Sequence, residues 1–121
     1  MDSTVEMADA LLTLPTTRLV LITNGAGTQR LLRGQENASA GEMAFGADVA
    51  SAALHHFAAR QGFGDIKLAF LLCQGAMVVI NSLRDGGVLT VVAEAEANLG
   101  LLLNACKKAL AAHETHEGSN A

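Results

Sequence analysis

Tryptophan and tyrosine are absent from the chain of 121 residues, and phenylalanine occurs only four times. Single-stranded nucleic acids are bound on aromatic faces and duplexes on concentrated basic patches, yet the eight lysines and arginines here are scattered and the net charge is −4. Two cysteines are too few for a disulfide scaffold, and no apolar run approaches the ~20 residues of a membrane span. The sequence therefore argues against a nucleic-acid-binding, disulfide-stabilised or membrane-spanning protein.

The sequence also predicts the cellular compartment of the protein and its number of domains. Residues 1–6 are acidic and contain neither the basic nor the apolar region of a signal peptide, so we expect a cytoplasmic protein. Half of the residues are apolar, which predicts one compact domain over residues 1–113 with a polar, flexible tail over 114–121. High apolarity in so short a chain also leads us to expect that another chain covers part of its surface.

Hydrophobic periodicity and turn residues predict three helices and five strands. The predicted helices cover residues 3–14, 42–61 and from 95 or 97 to 113, and the predicted strands cover 18–23, 28–33, 65–73, 76–82 and 88–93. The links within each group of strands are too short for parallel crossovers, so the sheet is antiparallel. Because its strands are apolar on both faces, two helices must cover one face and one helix the other. The expected fold is an α/β (α+β) sandwich of order α-β-β-α-β-β-β-α.

The central helix carries two apolar stripes on a helical wheel. One stripe can pack on the sheet and consists of Met43, Ala47, Ala50, Leu54 and Phe57. The other lies on roughly the opposite side and consists of Phe45, Val49, Ala52, His56 and Ala59. Small alanines allow a second helix to approach closely, which favours symmetric self-association, although a helix rich in alanine for propensity alone would look the same. Asp48, Ser51 and His55 fill a gap between the stripes, and we expect them to face solvent and to contact a partner.

Candidate residues for chemistry are few. Gly25-Ala26-Gly27 lacks the lysine of a phosphate-binding loop and precedes a strand, so it is interpreted as a turn. The spacing His113-x-x-His116 could hold a metal ion, but no cysteine or carboxylate cluster completes a site. Cys73 and Cys106 lie in apolar segments and are expected to be buried structural thiols rather than nucleophiles. We therefore expect no catalytic residue, cofactor or metal.

Two arginines occupy the most polar strand, which suits a sheet edge. Arg30 and Arg33 are three positions apart and so lie on opposite faces of that strand. We interpret them as solvated edge residues, and they are the next candidates for partner contact after the helix gap.

The element order, the Asn24-Gly25 hairpin and the segment Glu94-Ala95-Glu96-Ala97-Asn98-Leu99-Gly100-Leu101-Leu102 resemble the Roadblock family. The resemblance covers about residues 3–112, and its most specific piece is Ala97-Asn98-Leu99-Gly100 at the start of the last helix. The family includes Roadblock-type dynein light chains, lysosomal scaffold subunits and bacterial partners of small Ras-like GTPases. The resemblance implies a profilin-like fold and a homodimer, in which the third strand pairs with its symmetry mate and the central helices pack side by side. The interface that it implies consists of Phe45, Val49, Ala52 and His56 on the helix and Lys67, Ala69 and Leu71 on the strand.

The function implied by this resemblance is that of a homodimeric, non-catalytic regulator or scaffold of a small Ras-like GTPase in a prokaryotic cytoplasm, a GTPase-activating partner being one form of that role. A profilin- or PAS-like small-molecule sensor is the alternative. A sensor needs a cavity with converging polar groups, and the core strands offer few.

Overall fold

The computed structural model describes residues 3–34 and 40–119, and its elements follow the predicted order. The helices are α1 (Ser3–Leu12), α2 (Ala40–Arg60) and α3 (Leu99–Ser119). The strands are β1 (Thr17–Thr23), β2 (Gln29–Gly34), β3 (Leu68–Leu72), β4 (Met77–Ser82) and β5 (Val88–Ala93). They form one antiparallel sheet of order β2-β1-β5-β4-β3, so β2 and β3 are its edges. Within the described ranges, no helix combines the length and the hydropathy needed to cross a membrane.

The strand register decides which residues share a face of the sheet. Val20, Val91 and Val79 are aligned across β1, β5 and β4 and lie on the face covered by α1 and α3. Leu19 and Leu21 lie on the opposite face, against α2. Two helices therefore cover one face and one helix the other, and the prediction of a five-stranded antiparallel sheet with helices on both faces is confirmed.

The last helix begins and ends later than predicted. The Oδ1 atom of Asn98 accepts a hydrogen bond from the backbone N–H of Leu101 at 3.0 Å, which makes Asn98 the N-cap and starts the helix at Leu99. The helix continues to Ser119, so the predicted helix end at His113 is wrong. Residues 114–119 are polar and have no apolar stripe, and for that reason they were predicted to be a tail. The helix nevertheless continues through them, because its backbone hydrogen bonds do not require an apolar stripe. The flexibility of 114–121 stays a prediction, and residues 120–121 lie outside the described ranges.

The two cysteines differ in their surroundings. Cys106 is fully buried on the inner side of α3, as predicted, and burial raises the pKa of its thiol despite a hydrogen bond to Asn81 that lowers it. Cys73 is exposed, so the prediction of a buried thiol is wrong there. The reason is that β3 ends at Leu72, and Cys73 begins the turn to β4, where its N–H donates to the carbonyl of Ala76 at 2.9 Å.

Candidate interaction surface

The outer face of α2 is apolar and exposed. Phe45 is 64% exposed and Phe57 57%, and Val49 is exposed between them. The other members of the second stripe, Ala52, His56 and Ala59, are exposed as well. A helix that presents aromatic and aliphatic side chains to solvent marks a site for another molecule, because monomers rarely expose such contiguous patches.

The inner face of α2 contains the polar gap as well as Met43 and Ala47 of the first apolar stripe. Asp48 is 5% exposed and Ser51 6%, and His55 is half-buried. The expectation that these three residues face solvent is therefore wrong. The helix is rotated about its axis so that this gap meets the sheet. The same rotation exposes Phe57, which was assigned to the sheet-facing stripe and instead packs edge-to-face on Phe63, with ring centroids 6.3 Å apart.

Hydrogen bonds to distant parts of the chain explain this rotation. The carboxylate of Asp48 accepts from the hydroxyl of Thr23 and from the backbone N–H of Gly27, the latter at 2.5 Å. The Nε2 atom of His55 lies 3.0 Å from the hydroxyl of Ser82 on β4. These pairs tie α2 to β1, to the first hairpin and to β4, so Asp48 and His55 serve the fold.

The edge strand β3 exposes apolar side chains on both of its faces. By register, Leu68, Phe70 and Leu72 lie on the α1/α3 side, and Ala69 and Leu71 lie on the α2 side. Every one of these side chains is exposed except Ala69, which is half-buried. Among the described strands, β3 pairs only with β4, so one side of its backbone has no strand beside it. An exposed apolar edge strand of this kind tends to pair with a strand of another chain.

The structure places the predicted dimer residues on one side of the sheet. Phe45, Val49, Ala52 and His56 are on the exposed face of α2, and Ala69 and Leu71 are on the α2 side of β3. Lys67 is exposed immediately before β3, and its carbonyl accepts from the N–H of Ser82 at 3.0 Å. The exposure of Leu68, Phe70 and Leu72 was missed, because apolar residues on both faces of a strand were interpreted as a sign of burial by helices.

The first hairpin packs on the β4–β5 turn. Arg30 and Asp85 form an ion pair with an N–O distance of 2.8 Å, and a side chain at Gly25 would place its Cβ 2.6 Å from the carbonyl of Gly86. Partial burial raises the pKa of Asp85, but hydrogen bonds from the N–H of Gly87 and from Arg30 outweigh it, so that pKa lies below its ordinary value. Arg30 is thus engaged within the chain, while the exposed Arg33 donates, among residues 3–34 and 40–119, to the neighbouring Leu32 carbonyl.

No metal centre is found in the part of the chain that the structure describes, where no three His, Cys, Asp or Glu side chains are grouped for an ion. The Nδ1 atom of His113 lies 3.0 Å from the hydroxyl of Ser3, which links α3 to the start of α1. The side chain of His116, the other half of the predicted His-x-x-His pair, lies outside the described residues.

Solved structures share this architecture. A Roadblock/LC7 domain from Streptomyces avermitilis is 19% identical with a TM-score of 0.81, and the match covers 96% of each chain. MglB from Myxococcus xanthus is 19% identical with a TM-score of 0.87, covering 96% of this chain and 89% of that chain. A chain in the complex of LokiProfilin1 with rabbit actin is 17% identical with a TM-score of 0.54, covering 95% and 98%.

These likenesses define the fold. The chain has the Roadblock/LC7 fold, which is profilin-like, as the resemblance in sequence implied. No model of a protein family matches the sequence, and no curated protein matches it either.

Proposed function

We propose that this protein is a member of the Roadblock family that acts as a homodimeric, non-catalytic regulator or scaffold of a small Ras-like GTPase. The observation that carries the proposal is the exposed apolar face of α2 beside the apolar edge strand β3. The Roadblock/LC7 fold supports the proposal as well, because it agrees with the sequence resemblance to the Roadblock family, which includes bacterial partners of such GTPases.

In the proposed dimer, β3 pairs antiparallel with its symmetry mate and the two α2 helices lie side by side. The pairing would satisfy the backbone groups along the free side of β3 and extend the sheet across both protomers. Phe45 and Val49 of each protomer would be removed from water by the partner helix, and the exposed alanines would allow the helix axes to approach. A two-fold axis suits this arrangement because each surface meets a copy of itself.

The GTPase is proposed to dock on a face to which both protomers contribute. Asp48, Ser51 and His55 are withdrawn as candidates for this contact, because they are turned toward the sheet. Arg33 is the polar candidate that remains, since it is exposed on β2, at the sheet edge away from the proposed dimer seam.

The first experiment measures molar mass by light scattering at micromolar concentration. The unmodified protein should be a dimer, and Val49→Glu should give a monomer because a carboxylate would be buried without a partner in the seam. Ala112→Glu is the matched control, since it adds the same charge at an exposed helical position on α3, and it should remain a dimer. A monomeric unmodified protein would overturn the proposed dimer.

The second experiment is calorimetry against the small Ras-like GTPases encoded in the same genome, each loaded with GDP or with a non-hydrolysable GTP analogue. Saturable binding to one of them, weakened in Arg33→Ala, is expected. A failure to bind any of them in either nucleotide state would contradict the GTPase role while leaving the dimer intact.

A further inference from the structure

A half-open cleft of about 1050 Å³ is bordered by α2, α3, the start of β3 and the β4–β5 turn. Its volume lies at the upper end of the range of small-molecule sites, which is roughly 300–1,000 Å³. Four leucines from three parts of the chain line it, namely Leu68, Leu83, Leu103 and Leu110. The large apolar side chains of the outer α2 face, Phe45, Val49 and Phe57, do not line it.

A buried amide borders this cleft with part of its hydrogen-bonding capacity unused. Asn81 on β4 is fully buried, and its Nδ2 donates to the carbonyl of Leu89 at 3.4 Å. Its Oδ1 atom has no hydrogen-bond partner in the described ranges. Buried carbonyl oxygens are nearly always paired, so this acceptor is suited to a donor that comes from outside the chain.

The charged side chains that line the cleft without being buried leave a small positive excess. Lys67, Arg84 and Lys107 line it, and none of the three takes part in an ion pair with residues 3–34 or 40–119. Two carboxylates, Asp65 and Glu114, line it as well. Asp48 also borders the cleft and brings the whole lining to three cations and three carboxylates, but it is only 5% exposed and its oxygens accept from Thr23 and Gly27.

We propose that this cleft binds an aliphatic monoanion that carries a hydroxyl or amide donor, of the kind represented by a hydroxylated medium-chain carboxylate. The leucines accommodate the chain, Lys107 and its neighbouring cations hold the anionic head, and the donor reaches the Oδ1 atom of Asn81. A polyanion is disfavoured by the two carboxylates at the rim. This site does not depend on the proposed GTPase role, but two of its lining residues, Ala52 and Lys67, also belong to the proposed dimer interface.

The test is calorimetry with three probes below their micelle concentrations: 3-hydroxydodecanoate, dodecanoate and dodecanol. One site per chain is expected, with affinity falling in that order. Lys107→Glu should weaken both carboxylates by about tenfold or more, because it replaces an attractive charge with a repulsive one. Lys108→Glu is the matched control, since the adjacent lysine is exposed but does not line the cleft, and its affinities should stay within about twofold of the unmodified protein.

Three results would overturn the proposal: no saturable binding, dodecanol binding as tightly as the carboxylates, or equal losses in the two lysine variants. Equal affinity of the two carboxylates would overturn the assignment of the donor to Asn81. If Lys107→Glu does not fold, Arg84→Ala takes its place with the same expectation. Amide chemical shifts provide a second readout, since binding in the cleft should move Leu103 and the side-chain amide of Asn81, and shifts confined to Phe45 and Val49 would contradict it.

Discussion

The two faces of the sheet are covered in opposite ways. On one face, α1 and α3 bury a continuous apolar core around Val20, Val79 and Val91. On the other face, the apolar side chains that α2 buries in the core are the small Ala44 and Ala47, with Met43 half-buried beside them, and hydrogen bonds of Asp48 and His55 add to this packing. The first face is completed by the chain itself, whereas the second keeps its largest apolar side chains on the outside, where only another molecule can cover them.

The two faces differ because the large apolar side chains point toward the sheet on α3 and away from it on α2. Leu102 of α3 points into the core, while Phe45 and Phe57 of α2 point away from it. Apolar stabilisation scales with the area removed from water, so alanine contacts on the inner side of α2 contribute little, and polar pairs must fix its position. A helix attached in this way is well suited to an interface, because its inner contacts set its rotation and its outer side chains remain available.

The thiols give the largest expected contrast between a buried face and a free edge. Cys73, next to the edge strand β3, should react rapidly with a thiol reagent, whereas Cys106 should react at least about a hundredfold more slowly, because it must wait for the core to open. The measurement is the time course of thiol modification of the folded protein. Two equally fast thiols would mean that the α1/α3 face is not the closed core described.

A core leucine and its neighbour test the same face by stability. Leu102 is 1% exposed and Leu101 63%. Leu102→Ala should lower the free energy of unfolding by about 2–5 kcal/mol, because it leaves a cavity in the core. Leu101→Ala should stay within about 0.5 kcal/mol of the unmodified protein. Urea denaturation measures the free energy of unfolding of both variants. Similar decreases in the two variants would contradict the assignment of Leu102 to the core and Leu101 to the surface.

The polar attachment of α2 is tested by Asp48→Ala, which removes the acceptor for Thr23 and Gly27. The free energy of unfolding should fall by about 1–3 kcal/mol, because buried donors are left unpaired. A double-mutant cycle with Thr23→Val should show that the two losses do not add, since both changes remove the same hydrogen bond. Strict additivity would indicate that Asp48 does not hold α2 through Thr23.

The smallest effect is expected at the Arg30–Asp85 pair, which joins the hairpin to the β4–β5 turn. Because the pKa of Asp85 is lowered in the folded state from its ordinary value of 3.8, its stabilisation is present above that value and is lost as the pH falls through the lowered one. Both side chains are partly exposed, so Arg30→Gln should cost only about 0.2–1 kcal/mol near neutral pH. The difference from the unmodified protein should vanish in acid, and a difference that persists there would exclude the ion pair as its cause.

Local patterns predicted the architecture because each pattern carries its own physical cause. The alternation of apolar residues gave the strands, the Asn24-Gly25 turn gave the first hairpin, and apolar residues on both strand faces required helices on both sides. The rotation of α2 could not be predicted in the same way. A helical wheel shows where Asp48 and His55 lie on the helix, but their partners Thr23 and Ser82 are 25 and 27 residues away along the chain.

The apolar pattern of β3 did not by itself predict the exposure of this strand, for a related reason, although the family resemblance implied that the strand pairs with its symmetry mate. Its sequence has the composition of a central strand, and only the strand order places it at an edge, beyond the cover of α3. The N-cap at Asn98, by contrast, could have been predicted from the sequence, since an asparagine before an apolar helical segment is a common signal for the start of a helix.

The two sheet edges differ in a way that would limit the assembly of the proposed dimer. The free edge of β2 carries Gln29, Arg30 and Arg33, while that of β3 carries leucines and a phenylalanine. If β3 pairs with the β3 strand of a second chain, as proposed, both apolar edges are buried in that one interface. The two remaining edges of the joined sheet are then β2 strands, which carry charged side chains. Growth then stops at two chains, whereas a second adhesive edge would let each added protomer recruit another and turn the same fold into a fibre.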